Sequence, residues 1–168
     1  METIAVYREE QVKVYGITEK ADFALAILHF PGTSMALWGR RIMSLEQSLN
    51  RFELVTCHTG NSRAVELHIL FDPKYADTLR NTVNALIKEE KNTAFTLKQP
   101  VDVLFLFGPH FQDRYGIVDI AFNALRKNDV EILVSGCAGT SMYFVTSKNE
   151  GRKGFHILAD TFLIPTRI

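Results

Sequence analysis

Residues 101–136 read VDVLFLFGPHFQDRYGIVDIAFNALRKNDVEILVSG. Two short apolar runs, rich in branched and aromatic side chains, flank a glycine-bearing turn and a segment with helical spacing. Ile117, Ile120, Ala121, Ala124 and Leu125 make the apolar stripe of that segment, and Asp119, Asn123, Arg126 and Lys127 fall opposite. The reading is strand, turn, amphipathic helix, strand. Asn128-Asp129 ends the helix and VEILVSG is the second strand. A loop at Gly136 to Gly139 leads into a third strand, SMYFVTS. After the turn residues Lys148 to Gly151, a second helix carries Phe155, Leu158, Ala159 and Phe162. The tail LIPTRI is a short edge strand, a position that tolerates Pro165. The order is βαββαβ.

The first half repeats this plan. ADFALAILHF is an apolar strand, Pro31-Gly32 a turn, and Met35, Trp38, Ile42, Leu45 and Leu49 recur at helical spacing, with Met35 and Trp38 assigned to the core. FELVTC is a strand, HTGNS a loop, and RAVELHILF a strand in which Glu66 and His68 alternate with Leu67, Ile69 and Phe71. Asp72-Pro73 opens a helix bearing Ala76, Leu79, Val83 and Leu86, and the polar KEEKNTAFTLKQP is a linker with a short strand at Ala94 to Leu97. Agreement of element order, helix phase and loop position between halves signals an internal repeat. The expected organisation is residues 1–16 as N-terminal strands completing the second unit's sheet, 17–92 as the first unit and 99–168 as the second. The expected class is α+β: two ferredoxin-like units with antiparallel sheets and helices on one face.

Composition narrows the function classes. Of 168 residues, 46% are apolar, enough for a packed core, and the 19 basic residues are balanced by 19 acidic ones. No Lys/Arg run interleaves with aromatics, so a nucleic-acid partner is not expected. The longest uncharged stretch, Phe23 to Gly39, is broken by Pro31-Gly32 and is shorter than the roughly 20 apolar residues of a spanning helix, so no membrane role is expected. The N-terminus carries no signal-peptide pattern, and two cysteines make neither a disulfide framework nor a zinc spacing, which points to the cytoplasm.

Catalytic and cofactor motifs are scarce. GPHFQDRYG lacks the order of a phosphate-binding loop, and no lysine follows GCAGTS. Cys57 and His58 are strand neighbours that point to opposite faces, so they do not make a nucleophile and base. Cys137 falls in the loop after a strand with no identifiable partner. His29, His58, His68, His110 and His156 show no metal-ligand spacing beyond loose alternation. No enzyme activity, metal or cofactor is expected. FALAILHF and VDVLFLFG are apolar on both faces, so a four-stranded sheet with helices on one side needs a second cover, and pairing of units within a homodimer supplies one.

Two βαββαβ units in tandem, each with a glycine turn from first strand to first helix, resemble paired ACT domains, and more particularly the C-terminal regulatory region of aspartokinases. LFGPHFQDRYGIVDIAFNALRKNDVEILVSGCAGTSMYFV carries the resemblance in the second unit, HFPGTSMALW in the first, and IAVYREEQVKVYGI is similar to the strand that precedes them. The resemblance implies a regulatory module without catalysis, binding a free amino acid at an interface between ACT-like units and regulating a separate enzyme in trans. A glycine turn opening a helix presents unpaired N–H groups and the positive dipole end, which suits a carboxylate. The implied ligand-binding residues are Gly108, His110, Phe111, Asp113, Arg114, Tyr115 and Gly116. Asp113 is placed for an ammonium group, Arg114 for a carboxylate, and Ser135 and Gly136 for close backbone contacts. Phe30, Pro31, Gly32, Thr33 and Ser34 form the corresponding loop of the first unit, which has no acidic residue. A solvated loop on a structural or protein-interaction module is the alternative.

Overall fold

The computed structural model describes residues 12–49, 51–59, 63–88, 90, 92–109, 111 and 116–164. Ten elements follow one another: β1 (Gly16–Pro31), α1 (Met35–Leu49), β2 (Phe52–Thr59), β3 (Ala64–Phe71), α2 (Ala76–Ile87), β4 (Ala94–Phe107), α3 (Ile117–Lys127), β5 (Ile132–Ala138), β6 (Ser141–Ser147) and α4 (Glu150–Thr161). They form two compact units. An inner unit is made of Ala21–Asp102, and an outer unit of Val103–Ile168 with the described part of Met1–Lys20. Both divisions fall inside strands β1 and β4, so each long strand serves one unit and then the other. Both units are α+β with the βαββαβ plan.

In the inner unit the strand order is β2-β3-β1-β4. Antiparallel ladders pair Ala24 with Phe71 through Pro31 with Ala64, and Phe52 with Phe71 through Thr59 with Val65, the second with a bulge between Phe52 and Leu54. Period-two alternation then sorts the side chains. Ala24, Ala26, Leu28 and Phe30 of β1 and Val65, Leu67, Ile69 and Phe71 of β3 meet Trp38, Leu45 and Leu49 of α1 and Ala76, Leu79 and Val83 of α2 in one core. Each buried leucine or valine there contributes about 1.5–3 kcal/mol. Trp38 stacks on Phe30 at a centroid separation of 5.6 Å. The other face carries Leu25, Ile27 and His29 on β1 and Leu70, His68 and Glu66 on β3, and Leu25, Leu70 and His68 on it are buried.

Local chemistry sets the helix ends. Asp72 accepts a hydrogen bond from the Lys74 N–H at 3.0 Å and Pro73 follows, so a 3-10 turn feeds α2. Gly116, at φ 87°, precedes α3, which places Asp119 in its first turn and Arg126 and Lys127 in its last, complementing the helix dipole.

In the outer unit the order is β4-β6-β5. Its core gathers Leu104 and Leu106 of β4, Ile117, Ala121 and Leu125 of α3, Met142 and Phe144 of β6, and Leu158 and Phe162. Lys13 makes a parallel bridge with Leu163, and the Val14 N–H donates to the Leu163 carbonyl at 3.0 Å. Residues 165–168 of the tail, with Pro165, and residues 1–11 of the N-terminal strands lie outside the described residues.

Four local expectations change. Met35 and Ile120 are solvent-exposed, at 47% and 42%, because each lies at the rim of its helix's apolar arc. The polar stretch after α2 is no linker from Ala94 onward: Ala94–Phe107 is one strand whose exposed Ala94, Thr96 and Lys98 alternate with half-buried Phe95 and Leu97. The turn after β5 is only Gly139-Thr140, so Cys137 lies in the strand, opposite Met142.

Candidate functional site

The glycine turn of the inner unit opens onto a cavity. The β1–β3 ladder ends at the pair Pro31 and Ala64, and there the Gly32 N–H donates to the Arg63 carbonyl at 2.9 Å. A Cβ at position 32 would sit 2.9 Å from that oxygen, so the approach needs glycine. Arg63 itself is left-handed, at φ 58°, as is Asn92 at φ 67° in the loop between α2 and β4. With His29, Phe30, Pro31, Thr33 and Ala64 these residues line a largely apolar cavity of about 590 Å³, a size that suits a small organic molecule. Arg63 and His29 are its charged or titratable side chains.

A half-hidden polar clamp holds the loop that supplies Asn92. Glu90 accepts from the Trp38 indole N–H at 3.1 Å and from the Thr93 hydroxyl at 3.2 Å, and pairs with Arg41 of α1. The Arg41 guanidinium also lies 4.9 Å from the Trp38 ring centroid. Arg41 and Glu90 side chains are only 14% and 13% exposed, so removing either strands a largely dehydrated charge.

Behind His29 runs a row of ionisable groups on the face away from the helices. His29, Glu66 and His58 are aligned across β1, β3 and β2. Glu66 lies 3.3 Å from His29 Nδ1 through one oxygen and 2.7 Å from His68 Nε2 through the other. The His58 and His68 rings meet edge to face at 5.5 Å. Burial pushes the His68 pKa below its ordinary value; Glu66 opposes this, and His58 and His29 add to it. His68 Nδ1 and the hydroxyl of Thr56, its register partner, are buried without a hydrogen-bond partner among the described residues.

The outer unit's turn is arranged differently. The Gly108 N–H donates to the Thr140 carbonyl at 2.9 Å, and the buried Phe111 ring occupies the space where a Cβ on Gly108 would stand. Ser135 and Gly136 lie in β5 opposite Phe144 and Tyr143, and the Tyr143 phenol fills the space above Gly136 in the same way. Gly116 caps α3. His110, Asp113, Arg114 and Tyr115 lie outside the described residues.

The structure therefore brings together Phe30, Pro31, Gly32 and Thr33 around a cavity, whereas Ser34, the last residue of the 3-10 turn Gly32–Ser34, is not part of the lining. Arg63, Ala64, Asn92 and His29 complete the lining and are absent from the sequence-derived set. Asn92 had a usable signal, since asparagine between a helix and a strand often marks a left-handed residue. Arg63 had none, because its place depends on the β1–β3 register.

Elsewhere, a second cavity of about 260 Å³ in the inner unit is bounded in part by Asp72, Lys74 and Tyr75. Asp72 and Lys74 are already paired at 2.8 Å, an ion pair that holds the Asp72 carboxyl below its usual value. Burial raises the thiol pKa of Cys57 and Cys137, which disfavours the thiolate. Among the described residues, no cluster of three or more metal-ligating side chains forms and no helix is long and apolar enough to cross a membrane.

This architecture is that of two ACT-like α+β units in tandem, with a glycine turn joining the first strand to the first helix. Solved structures share the fold. The regulatory subunit of aspartate kinase from Thermus flavus matches with a TM-score of 0.77 at 10% identity, over 90% of this chain and 99% of that one. The Thermus thermophilus regulatory subunit, in its ligand-free form, gives 0.71 at 10% identity, over 89% and 99%. Aspartate kinase from Synechocystis gives 0.76 at 13% identity, over 99% of this chain and 30% of that longer one. The fold is thus the one found in the regulatory part of aspartate kinases. No protein-family model matches the sequence, and no curated protein matches it by sequence.

Proposed function

We propose that this chain is a non-catalytic regulatory module that binds a free amino acid in the inner-unit cavity and transmits its occupancy to an enzyme. The observation that carries the reading is the open cavity at the Gly32 turn, on a fold whose similar structures are regulatory subunits of aspartate kinase. The largely apolar wall suits an aliphatic side chain, and Arg63 suits the carboxylate. Asp113 and Arg114, with His110 and Tyr115, are proposed as a second contact set on the outer unit's turn. Action as a cytoplasmic homodimer on an enzyme in trans belongs to the same proposal, supported by the apolar residues on both faces of β1.

Thermal unfolding against each of the twenty amino acids at about 10 mM tests it. Ligand at 100 times its dissociation constant adds about 2.7 kcal/mol to the native state, which raises the midpoint visibly. A selective rise lost in Arg63→Ala supports the reading. A flat panel from folded protein overturns it in favour of a protein-interaction module.

A further inference from the structure

Two walls of the inner-unit cavity are tied to one carboxylate. Phe30 and Asn92 both line the cavity. The Phe30 ring stacks on Trp38, and the Trp38 indole N–H donates to Glu90 Oε2. Thr93 directly follows Asn92, and its hydroxyl donates to the same Glu90 oxygen, while Arg41 pairs with Oε1. We propose that Glu90 is the positioning residue of the cavity: its carboxylate couples the Phe30 wall to the Asn92 wall, and its release is the local opening that separates them. The proposal rests on the amino-acid reading for the use of the cavity and adds the group that sets its shape.

The donors that converge on Glu90 come from two parts of the chain. Trp38 and Arg41 belong to α1, and Thr93 to the loop between α2 and β4. Hydrogen bonds to an ionised carboxylate are stronger than neutral ones, and a largely dehydrated ion pair is little screened by salt. Asn92 holds φ at 67°, a left-handed conformation that a residue other than glycine adopts at a cost. Such strain persists where the surroundings impose it, and the tie from Thr93 to Glu90 is the constraint that stands next to it. The loop therefore has two arrangements: tied, with Asn92 left-handed, and released, with Asn92 relaxed toward extended backbone. Trp38 is fully buried and stacked, so the loop is the side that yields. Because Trp38 and Arg41 lie on α1, the same carboxylate joins the cavity to that helix.

The experiment is hydrogen exchange by NMR on the whole chain with no amino acid added. Trp38 is the single tryptophan, so its indole N–H gives one unambiguous signal. The amide-to-Hα coupling of Asn92 reports its φ directly. In the unaltered chain the indole N–H should exchange faster than the amides of Leu67 and Ile69 in the central strand β3, which open only when the inner core unfolds. Glu90→Gln should speed indole exchange relative to those amides by about ten- to a hundredfold, as expected for loss of hydrogen bonding to a charged group. It should also move the Asn92 coupling toward the extended value. Since Glu90→Gln strands Arg41, the variant Arg41→Met/Glu90→Leu is measured beside it. Removing both charges should return the β3 amides to their original rates while indole exchange stays fast and Asn92 stays relaxed. Equal acceleration of the indole and the β3 amides would reduce Glu90 to a contributor to global stability and overturn the proposal. An unchanged Asn92 coupling would overturn it too, since the carboxylate would then not hold that wall. These outcomes are independent of the thermal panel, in which a flat result overturns the binding reading alone.

Discussion

The two glycine turns of the molecule share a place in the βαββαβ plan and differ in what fills them. In the outer unit, Phe111 folds back over Gly108 and Tyr143 covers Gly136, so both glycines are accounted for by the protein's own rings. In the inner unit the chain passes through Pro31-Gly32 directly into a 3-10 turn, with no aromatic residue folded back, and the space beside it stays open. A glycine at this turn thus has two physical meanings, accommodation of an internal side chain or close approach of backbone to backbone. The second leaves an open space beside the turn of the inner unit.

Phe111→Ala should produce the largest effect. Emptying a buried phenylalanine site costs about 3–5 kcal/mol, measurable by urea unfolding. If the contrast between turns is sound, it should also open the outer turn to small apolar probes. Next comes Gly136→Ala, which forces a methyl group into the Tyr143 phenol and should cost about 1–3 kcal/mol. The combined Gly136→Ala/Tyr143→Ala variant should lose less than the sum of the single changes; full additivity would mean that the ring does not define that site. Gly32→Ala should cost as much, about 1–3 kcal/mol, because its methyl group would meet the Arg63 backbone carbonyl, which has no flexible end to give way. Its sharper signature is loss of ligand binding with the fold retained.

The smallest effect is in pH. His68 has a folded-state pKa below its unfolded value of about 6.5, so the unfolded chain binds the proton first. The stability linked to His68 is fully present above about pH 6.5 and is lost as pH falls through the folded-state value, by no more than about 1.4 kcal/mol per pH unit. His68→Gln should flatten that part of the stability profile. An unchanged profile would assign the acid sensitivity to other groups.

The elements of both units were legible because helical spacing and strand alternation are local properties. The stripe from Trp38 to Leu49 and the alternation of Glu66 and His68 both match the folded protein. The continuity of β4 was not legible, since a strand with polar residues on one side, interrupted by Pro100, has the composition of a linker. Met35 and Ile120 show the converse error: spacing reveals the direction of an apolar arc but not how far the neighbouring layer extends along it. Of the cavity, the Phe30–Thr33 wall was visible as a turn. Arg63 and the His29–Glu66–His58 row come together only through the register of three strands, which no local pattern encodes.

The interrupted course of the outer unit has a mechanical consequence. The inner unit enters the chain at Ala21 and leaves it at Asp102, and these ends lie close together, with the Asp22 N–H 3.4 Å from Asp102 Oδ1. Tension applied to the two termini therefore reaches the inner unit only through segments that belong to the outer one. In a pulling experiment the outer unit should yield first and the inner unit second, so that the cavity-bearing unit is shielded from load by the unit wrapped around it in sequence.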